Sequence, residues 1–253
     1  MPLTTSHAAA VWPLSKFFPN LPLSAMVIGA MAPDIGHLLE IPGFEETWHV
    51  PPNLFLAAVP AAMVLWLVWR QYIRDSMVDV LPPAMAAEWS LPRLGAAAIP
   101  TAVAAATLGA CTHAMWDGFT KRTGWAVNLI PVLRREVEVI PDVWTLPVSR
   151  ILQHTSTVLG AVIIVAWVAR WWLSHPAEAR RFAPGQLARI RTAGLVVFGI
   201  AVAGAAVGLF PWVWDLSHIL RHFAVGAMLG GGAGLLVWAT IYRFRIGGQA
   251  QAG

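Results

Sequence analysis

Five apolar stretches alternate with polar segments along the chain, and each has about the length of a membrane-spanning helix. The stretches are Leu54 to Trp69, Leu94 to Met115, Ile151 to Leu173, Ala193 to Phe210 and Ile219 to Tyr242. Roughly 17–25 mostly apolar residues cross the hydrocarbon core as a helix. The pattern therefore predicts an all-α, polytopic helical membrane bundle with about five full spans.

The first fifty residues hold two shorter apolar pieces, Ser6 to Phe18 and Leu21 to Met31, with prolines inside and around them. Because proline removes a backbone donor and restricts the helix, we expect a short helix followed by a half-inserted segment. The first cation comes only at Lys16, unlike the basic start of a secretory signal peptide. We expect residues 1–173 to form a helical core with the functional site, and residues 174–253 to add two spans to the same bundle.

Composition strengthens the membrane interpretation. The chain is 57% hydrophobic and 12% charged, whereas soluble domains average about 45–50% and about 25%. These values exclude an ordinary soluble domain and a disordered chain. Cys111 is the only cysteine, so no intrachain disulfide can form.

The net charge of +4 comes from arginines in short clusters beside apolar runs. These clusters follow the first span (Arg70, Arg74, Arg93), the third (Arg180, Arg181, Arg189, Arg191) and the fifth (Arg243, Arg245). The positive-inside rule places such alternate segments in the cytoplasm, and it predicts a cytoplasmic C-terminus. We therefore expect the partner of this chain to be a lipid bilayer and not a nucleic acid.

Histidines concentrate at one end of the predicted spans. His49 precedes the first span, His113 and Asp117 end the second, His154 opens the third, and His218 with His222 opens the fifth. Since consecutive spans run antiparallel, these positions share the extracytoplasmic face. Ionisable residues at membrane depth mark functional sites by default.

The pair His113 and Asp117 is spaced i, i+4, which puts both side chains on one helix face. Asp34 and His37 repeat this arrangement at i, i+3, and His7 stands at a predicted helix N-terminus. Imidazole and carboxylate ligands without a thiolate suit Zn²⁺ best, with Mn²⁺ as the alternative. We therefore predict a divalent metal site.

Each of these candidate metal ligands could instead have a purely structural role. His113 and Asp117 could be a hydrogen-bonded pair that stabilises the bundle, Asp34 could cap a helix, and His7, His49 and His154 could be interfacial polar residues. The His218 and His222 pair has a spacing used by zinc and haem sites, but it also suits an interfacial belt.

Four ordered motifs carry a resemblance to known proteins. The segments TTSHAAAVWPL, LPLSAMVIGAMAPDIG, LGACTHAMWDGFT and LQHTSTVLG resemble bacterial membrane proteins of domain-of-unknown-function family 4184, over roughly Met1 to Ala166. The D-x-x-H and H-x-x-x-D elements are also similar to membrane-bound metal-dependent hydrolases of the inner membrane. A more distant likeness is to the zinc-dependent phospholipase C and P1 nuclease group.

This resemblance implies a bacterial inner-membrane protein with the metal ligands His7, Asp34, His49, His113, Asp117 and His154, in which Asp117 bridges metal ions. The chain departs from the hydrolases at ETWHV, where they carry an H-R-G-x-T-H-S element, and at Lys121, where histidine is common.

The first functional hypothesis is a metal-dependent hydrolase that cleaves a phosphoester, such as a phospholipid headgroup, by metal-activated water. Asp117, His113 and Asp34 would be its catalytic residues, and Arg122, Arg134 or Arg135 would hold the phosphate. The alternative is an integral-membrane transport or metal-binding protein without hydrolytic activity. A haem or di-iron redox protein, or a purely structural polar cluster, are further alternatives.

Overall fold

The computed structural model describes residues 4–38, 47–89, 95, 98–141, 144–209 and 216–251, and nearly all of these are helical. The α-helices are α1 (Ala8–Phe17), α2 (Leu23–Met31), α3 (Ile35–Leu38), α4 (Val59–Val68), α5 (Arg74–Val78), α6 (Pro83–Glu88), α7 (Ala98–Thr120), α8 (Trp125–Leu129), α9 (Val148–Ser174), α10 (Gln186–Leu209) and α11 (Leu216–Gln251). Short 3-10 turns lie at Thr4–His7, Ala32–Asp34, Thr47–His49 and Pro131–Arg134, and π-helical turns at Leu54–Ala58 and Trp69–Ile73.

Within the described residues, five helical stretches are long and apolar enough to cross a membrane. They are Leu54–Val78, Ala98–Leu129, Val148–Ser174, Gln186–Gly208 and His222–Arg245. Each overlaps one predicted span, so the all-α membrane fold is confirmed. The N-terminal helices α1 and α2 have only 10 and 9 residues, which is too short to span a bilayer and agrees with the prediction.

Contacts divide the chain into two compact units. Unit 1 comprises Met1–Trp66 and Leu94–Ala169, and unit 2 comprises Leu67–Arg93 and Arg170–Gly253. The predicted division at residue 173 stays a prediction.

In unit 1, glycines allow α2 and α7 to touch backbone to backbone. A Cβ on Gly29 would overlap with the backbone of Ala106, and a Cβ on Gly109 would overlap with the carbonyl of Met26. Small residues permit such close approach between membrane helices. The crossing brings the C-terminal end of α2 beside the last turns of α7, where the candidate site lies.

A two-stranded antiparallel hairpin precedes α9. Strand β1 (Glu136–Ile140) pairs with β2 (Trp144–Pro147), so that Val137 faces Leu146 and Glu138 faces Thr145. This segment lies between the second and third predicted spans, a region to which no strand is assigned from the sequence. The alternation of charged and β-branched residues in EVEVI is the period-2 signal of a strand, and it explains the difference.

In unit 2, glycines let α10 and α11 approach backbone to backbone. A Cβ on Gly204 would overlap with the carbonyl of Gly226, and a Cβ on Gly230 would overlap with the carbonyl of Ile200. His222 is buried in this unit. His218, Arg93 and the segment 211–217 between the last two predicted spans lie outside the residues whose side chains are described.

Candidate metal centre

The site is built around His113, which is fully buried in α7. Its Nδ1 lies 2.7 Å from the backbone oxygen of Ala30, at the end of α2. Since a carbonyl oxygen only accepts, Nδ1 carries the hydrogen and donates it. In the neutral ring, Nε2 then presents a lone pair, and this backbone anchor is typical of histidine ligands to metals.

Asp117 follows one turn later on the same face of α7, as its spacing predicted. Its Oδ2 lies 3.2 Å from His113 Nε2 and 3.3 Å from His49 Nε2. Asp34 approaches from the 3-10 turn that continues α2, with its Oδ1 3.3 Å from His49 Nε2 and 3.5 Å from His113 Nε2. One ligand atom from each of the four residues therefore falls within 4.8 Å of every other.

These separations are long for hydrogen bonds between charged groups, and they are compatible with coordination of one ion. Ligand atoms 2.0–2.1 Å from a tetrahedral zinc are roughly 3.3–3.4 Å apart, which matches the four nitrogen–oxygen distances of 3.2 to 3.5 Å. Charge-assisted hydrogen bonds between nitrogen and carboxylate are shorter, about 2.7–2.9 Å. One ligand atom from each of the four residues lies within 4.8 Å of the others, and a cation among them would stabilise the two carboxylates.

His7 completes the histidine cluster from the 3-10 turn Thr4–His7. Its ring stacks on His113 with 3.9 Å between centroids, and its Nε2 lies 3.9 Å from Asp117 Oδ1. Among the described residues, neither of these two atoms finds a hydrogen-bond partner. Burial, and next the nearby His113, lowers the pKa of His7 to about 4, so the ring is neutral at neutral pH and can act as a ligand.

His49 lies in the 3-10 turn Thr47–His49, and its side chain is largely enclosed. Burial lowers the pKa of His49 below its ordinary value, against the opposing effect of the hydrogen bond to Asp34. A neutral imidazole is the form that binds metals. His7 and His49 are thus both held in the neutral form that a metal site requires.

Lys121, which is not among the predicted site residues, adds a positive charge to the site. Its Nζ lies 2.8 Å from Asp117 Oδ2, one turn further along the chain. The i, i+4 spacing from Asp117 was the signal that could have identified it. The ammonium therefore contacts the same carboxylate oxygen that faces His49 and His113.

A cavity of about 270 Å³ leads to this cluster and is lined by His49, Asp117, Lys121, Thr123, Trp125 and Asn128, among others. Gly118 and Gly124 shape its wall. A Cβ on Gly118 would overlap with the indole nitrogen of Trp125, and a Cβ on Gly124 would overlap with the carbonyl of Gly118. The glycine in the MWDGFT segment therefore lets Trp125 fold across the end of α7.

His154, a predicted ligand, is not among the converging residues. It is exposed on α9, whose buried residues are Ser149, Gln153 and Gly160. Successive residues of a helix point about 100° apart, so a helix that buries Gln153 turns His154 away. His37 lies outside the residues whose side chains are described.

The three arginines predicted to hold phosphate are exposed. Arg134 donates hydrogen bonds to the backbone oxygens of Val127 and Asn128 and to the side chain of Asn128, at 2.7 to 2.8 Å. Its guanidinium thus holds the turn after α8 in place. Arg122 and Arg134 line a second cavity of about 290 Å³, and the phosphate role of the arginines stays a prediction.

A family model described as "Domain of unknown function (DUF4184)" matches residues 1–241. No curated protein and no solved structure matches the chain.

Proposed function

The chain belongs to the DUF4184 family, a domain of unknown function, and we propose that it is a membrane hydrolase that uses a divalent metal ion to cleave phosphoesters. The ion that fits best is Zn²⁺, with Mn²⁺ as the alternative. The metal would be held by Asp34, His49, His113 and Asp117. The cavity beside His49 and Asp117 would admit water and substrate.

The observation that carries this proposal is the meeting of Asp34 and Asp117 at the backbone-anchored ring of His113. Burying two carboxylates without a counter-charge is costly, and buried charges are paired or coordinate metals. Lys121 supplies one positive charge against the two carboxylates. A divalent ion would stabilise the remaining charge and use the lone pairs of the imidazoles.

Hydrolysis also requires a position for water, and beside four protein ligands this would be a fifth position on the ion. Here the cavity borders two of the four ligands, His49 and Asp117, so water can approach from that side. A divalent ion at this point would act as a Lewis acid that lowers the pKa of water to about 7. Asp34 and His113 lie deeper, and their role is to fix the ion.

His7 Nε2 and Asp117 Oδ1 are two further possible ligand atoms, in addition to the one atom from each of the four residues above. Both atoms are buried without a hydrogen-bond partner among the described residues, 3.9 Å apart. Asp117 would then contribute one oxygen to each of two ions, an arrangement that two-metal phosphoesterases use to hold attacking and leaving oxygens. We expect more than one zinc ion per chain, and we expect His7→Ala to lower the metal content.

The proposal places the site at the membrane surface, where a phospholipid headgroup is a suitable phosphoester. Asp117 lies near the end of α7, and the cavity is lined by residues that follow it. By the positive-inside rule, the arginine clusters support a cytoplasmic C-terminus. We therefore propose that this site lies at the extracytoplasmic face of a bacterial inner membrane. A reporter enzyme fused to the C-terminus would test the orientation.

The decisive experiment is metal analysis of the purified full chain together with phosphatase and phospholipase assays. Asp117→Asn and Asp34→Asn should lose zinc and turnover together, whereas Glu138→Gln, a charge change on exposed β1, should keep both. An absence of metal in the unaltered chain would refute the proposal. Metal without turnover would favour a structural or binding role.

Transport is the alternative, and it requires a continuous path through the protein. One turn before His113 in α7, the backbones of α2 and α7 are in contact at Gly29 and Gly109. This contact leaves no room for an ion between these two helices. A zinc flux in proteoliposomes that depends on His113 would favour transport over hydrolysis.

A further inference from the structure

We propose that the cavity lined by Lys121, Thr123, Trp125 and Asn128 is an anion site, in which Lys121 binds a phosphate group next to the metal centre. This inference rests on the proposed function, because it names the group that the same site recognises. The shared ligand chemistry is a phosphate monoester or inorganic phosphate.

The position of Lys121 supports this role. Its Nζ is 2.8 Å from Asp117 Oδ2, and its side chain is partly exposed, in contrast to the buried Asp117. Lys121 also lines the cavity together with His49 and Asp117. The ammonium therefore stands between the buried carboxylate and the opening through which a ligand would enter.

Metal binding would change what Lys121 does. Asp117 Oδ2 faces His49 and His113 as well as Lys121, and the same oxygen cannot serve a divalent ion and an ammonium equally well. Repulsion between the two cations would weaken the contact between Lys121 and Asp117. A phosphate bound between the metal and Lys121 would be attracted to both, as ammonium groups in proteins bind phosphate as point charges.

The lining of the cavity suits the organic group of a phosphate monoester. The Trp125 indole forms an apolar wall and packs edge-on against Phe119, with 5.3 Å between ring centroids. Thr123 and Asn128 are exposed polar residues at the same cavity. Arg134, in contrast, has its guanidinium hydrogen-bonded to Val127 and Asn128. Lys121 is thus the cation placed between the metal ligands and the cavity.

The test uses the full-length, zinc-loaded protein in detergent and measures two affinities in each variant. Zinc affinity is determined by competition with a chelating dye, and affinity for inorganic phosphate by calorimetry. The variants are Lys121→Met, Lys121→Gln and Lys121→Arg. Lys16→Met is the matched control, since Lys16 lies at the end of α1 with its Nζ over the Trp12 ring.

Loss of one charge-assisted hydrogen bond should weaken phosphate binding about 10- to 100-fold in Lys121→Met and Lys121→Gln. Zinc should bind these variants at least as tightly as the unaltered chain, because a competing cation has been removed. Lys121→Arg should retain most of the phosphate affinity, and Lys16→Met should retain all of it.

Phosphate affinity that is unchanged in zinc-loaded Lys121→Met and Lys121→Gln would overturn the inference while leaving the metal proposal intact. An unaltered chain that binds no zinc would instead refute the proposed function. Bilayer nanodiscs distinguish the sources of the ligand. Displacement of inorganic phosphate by phosphatidic acid, but not by phosphatidylcholine, identifies a lipid phosphate monoester as the ligand, and no displacement by either identifies free phosphate.

Discussion

Gly109→Ala should destroy the metal centre although Gly109 contributes no ligand. The added methyl group would overlap with the carbonyl of Met26 and crowd the amide of Ala30. Both are backbone atoms of α2, so a side-chain rotation cannot relieve the overlap. The helix must move away from α7, and it carries with it the Ala30 carbonyl that anchors His113 and the turn that holds Asp34.

The size of the effect follows from the geometry. Overpacking of this kind costs about 1–3 kcal/mol of stability. A separation of roughly 1 Å is large against metal–ligand distances that hold to about ±0.2 Å. Loss of the hydrogen bond that orients a histidine ligand alone weakens metal binding by about 10–100-fold, so zinc affinity should fall by at least that factor.

The assay is zinc affinity together with thermal unfolding in detergent, with Gly199→Ala as the control. A Cβ on Gly199, in α10, meets nothing within 4 Å, and replacing a helical glycine there should stabilise the chain by about 0.5–1 kcal/mol. Gly109→Ala that binds zinc as tightly as the unaltered chain would refute the claim that the α2–α7 crossing positions the ligands.

Three further predictions concern other parts of the chain. A Cβ on residue 118 would overlap with the Trp125 indole, so Gly118→Ala should displace this ring. The variant should show altered turnover or phosphate binding and an unchanged zinc content. A loss of zinc would contradict this prediction. The buried Nε1 of Trp238 donates a hydrogen bond to the Ser76 carbonyl oxygen at 3.2 Å. Trp238→Phe should therefore lower the stability measured by unfolding in detergent by about 1 kcal/mol. Unchanged stability would contradict the stabilising role of this hydrogen bond. The hydrogen bond to Glu88, and next the one to the Trp171 backbone oxygen, raises the pKa of His175. The pair with Glu88 therefore stabilises the chain below the ordinary histidine pKa and loses this effect as the pH rises through the raised value. Glu88→Gln should reduce this pH dependence of the melting temperature, and an unaltered pH profile would contradict it.

Much of the fold was predictable because a bilayer imposes a length on every helix. Five apolar stretches of that length correspond to five spans, and the short proline-flanked pieces correspond to α1 and α2. The pair His113 and Asp117 was predictable from the i, i+4 spacing alone. The convergence of Asp34, His49 and His7 on that pair required knowledge of how α2 packs, which the glycines permit but do not specify.

His154 shows why the rest could not be predicted. The sequence indicates that His154 lies near the start of α9. The length of a span, however, carries no information on how the helix is rotated about its own axis. The buried residues Ser149, Gln153 and Gly160 define the packed face, and His154 is one residue out of phase with it. Likewise, the hydrogen bonds of Arg134 depend on the shape of the turn after α8, which composition does not determine.

The charges of the cluster suggest an order of events at the site. Asp34 and Asp117 contribute two negative charges and Lys121 one positive charge, so the carboxylates and the ammonium of the metal-free cluster sum to −1 and do not favour an anion. One divalent ion changes the net charge to +1, and a second ion would raise it further. Phosphate should therefore bind only after the metal, with Lys121 close to Asp117 in the first state and available to the ligand in the second. Phosphate binding measured with and without zinc in the unaltered chain tests this order, and equal affinity in both conditions would contradict it.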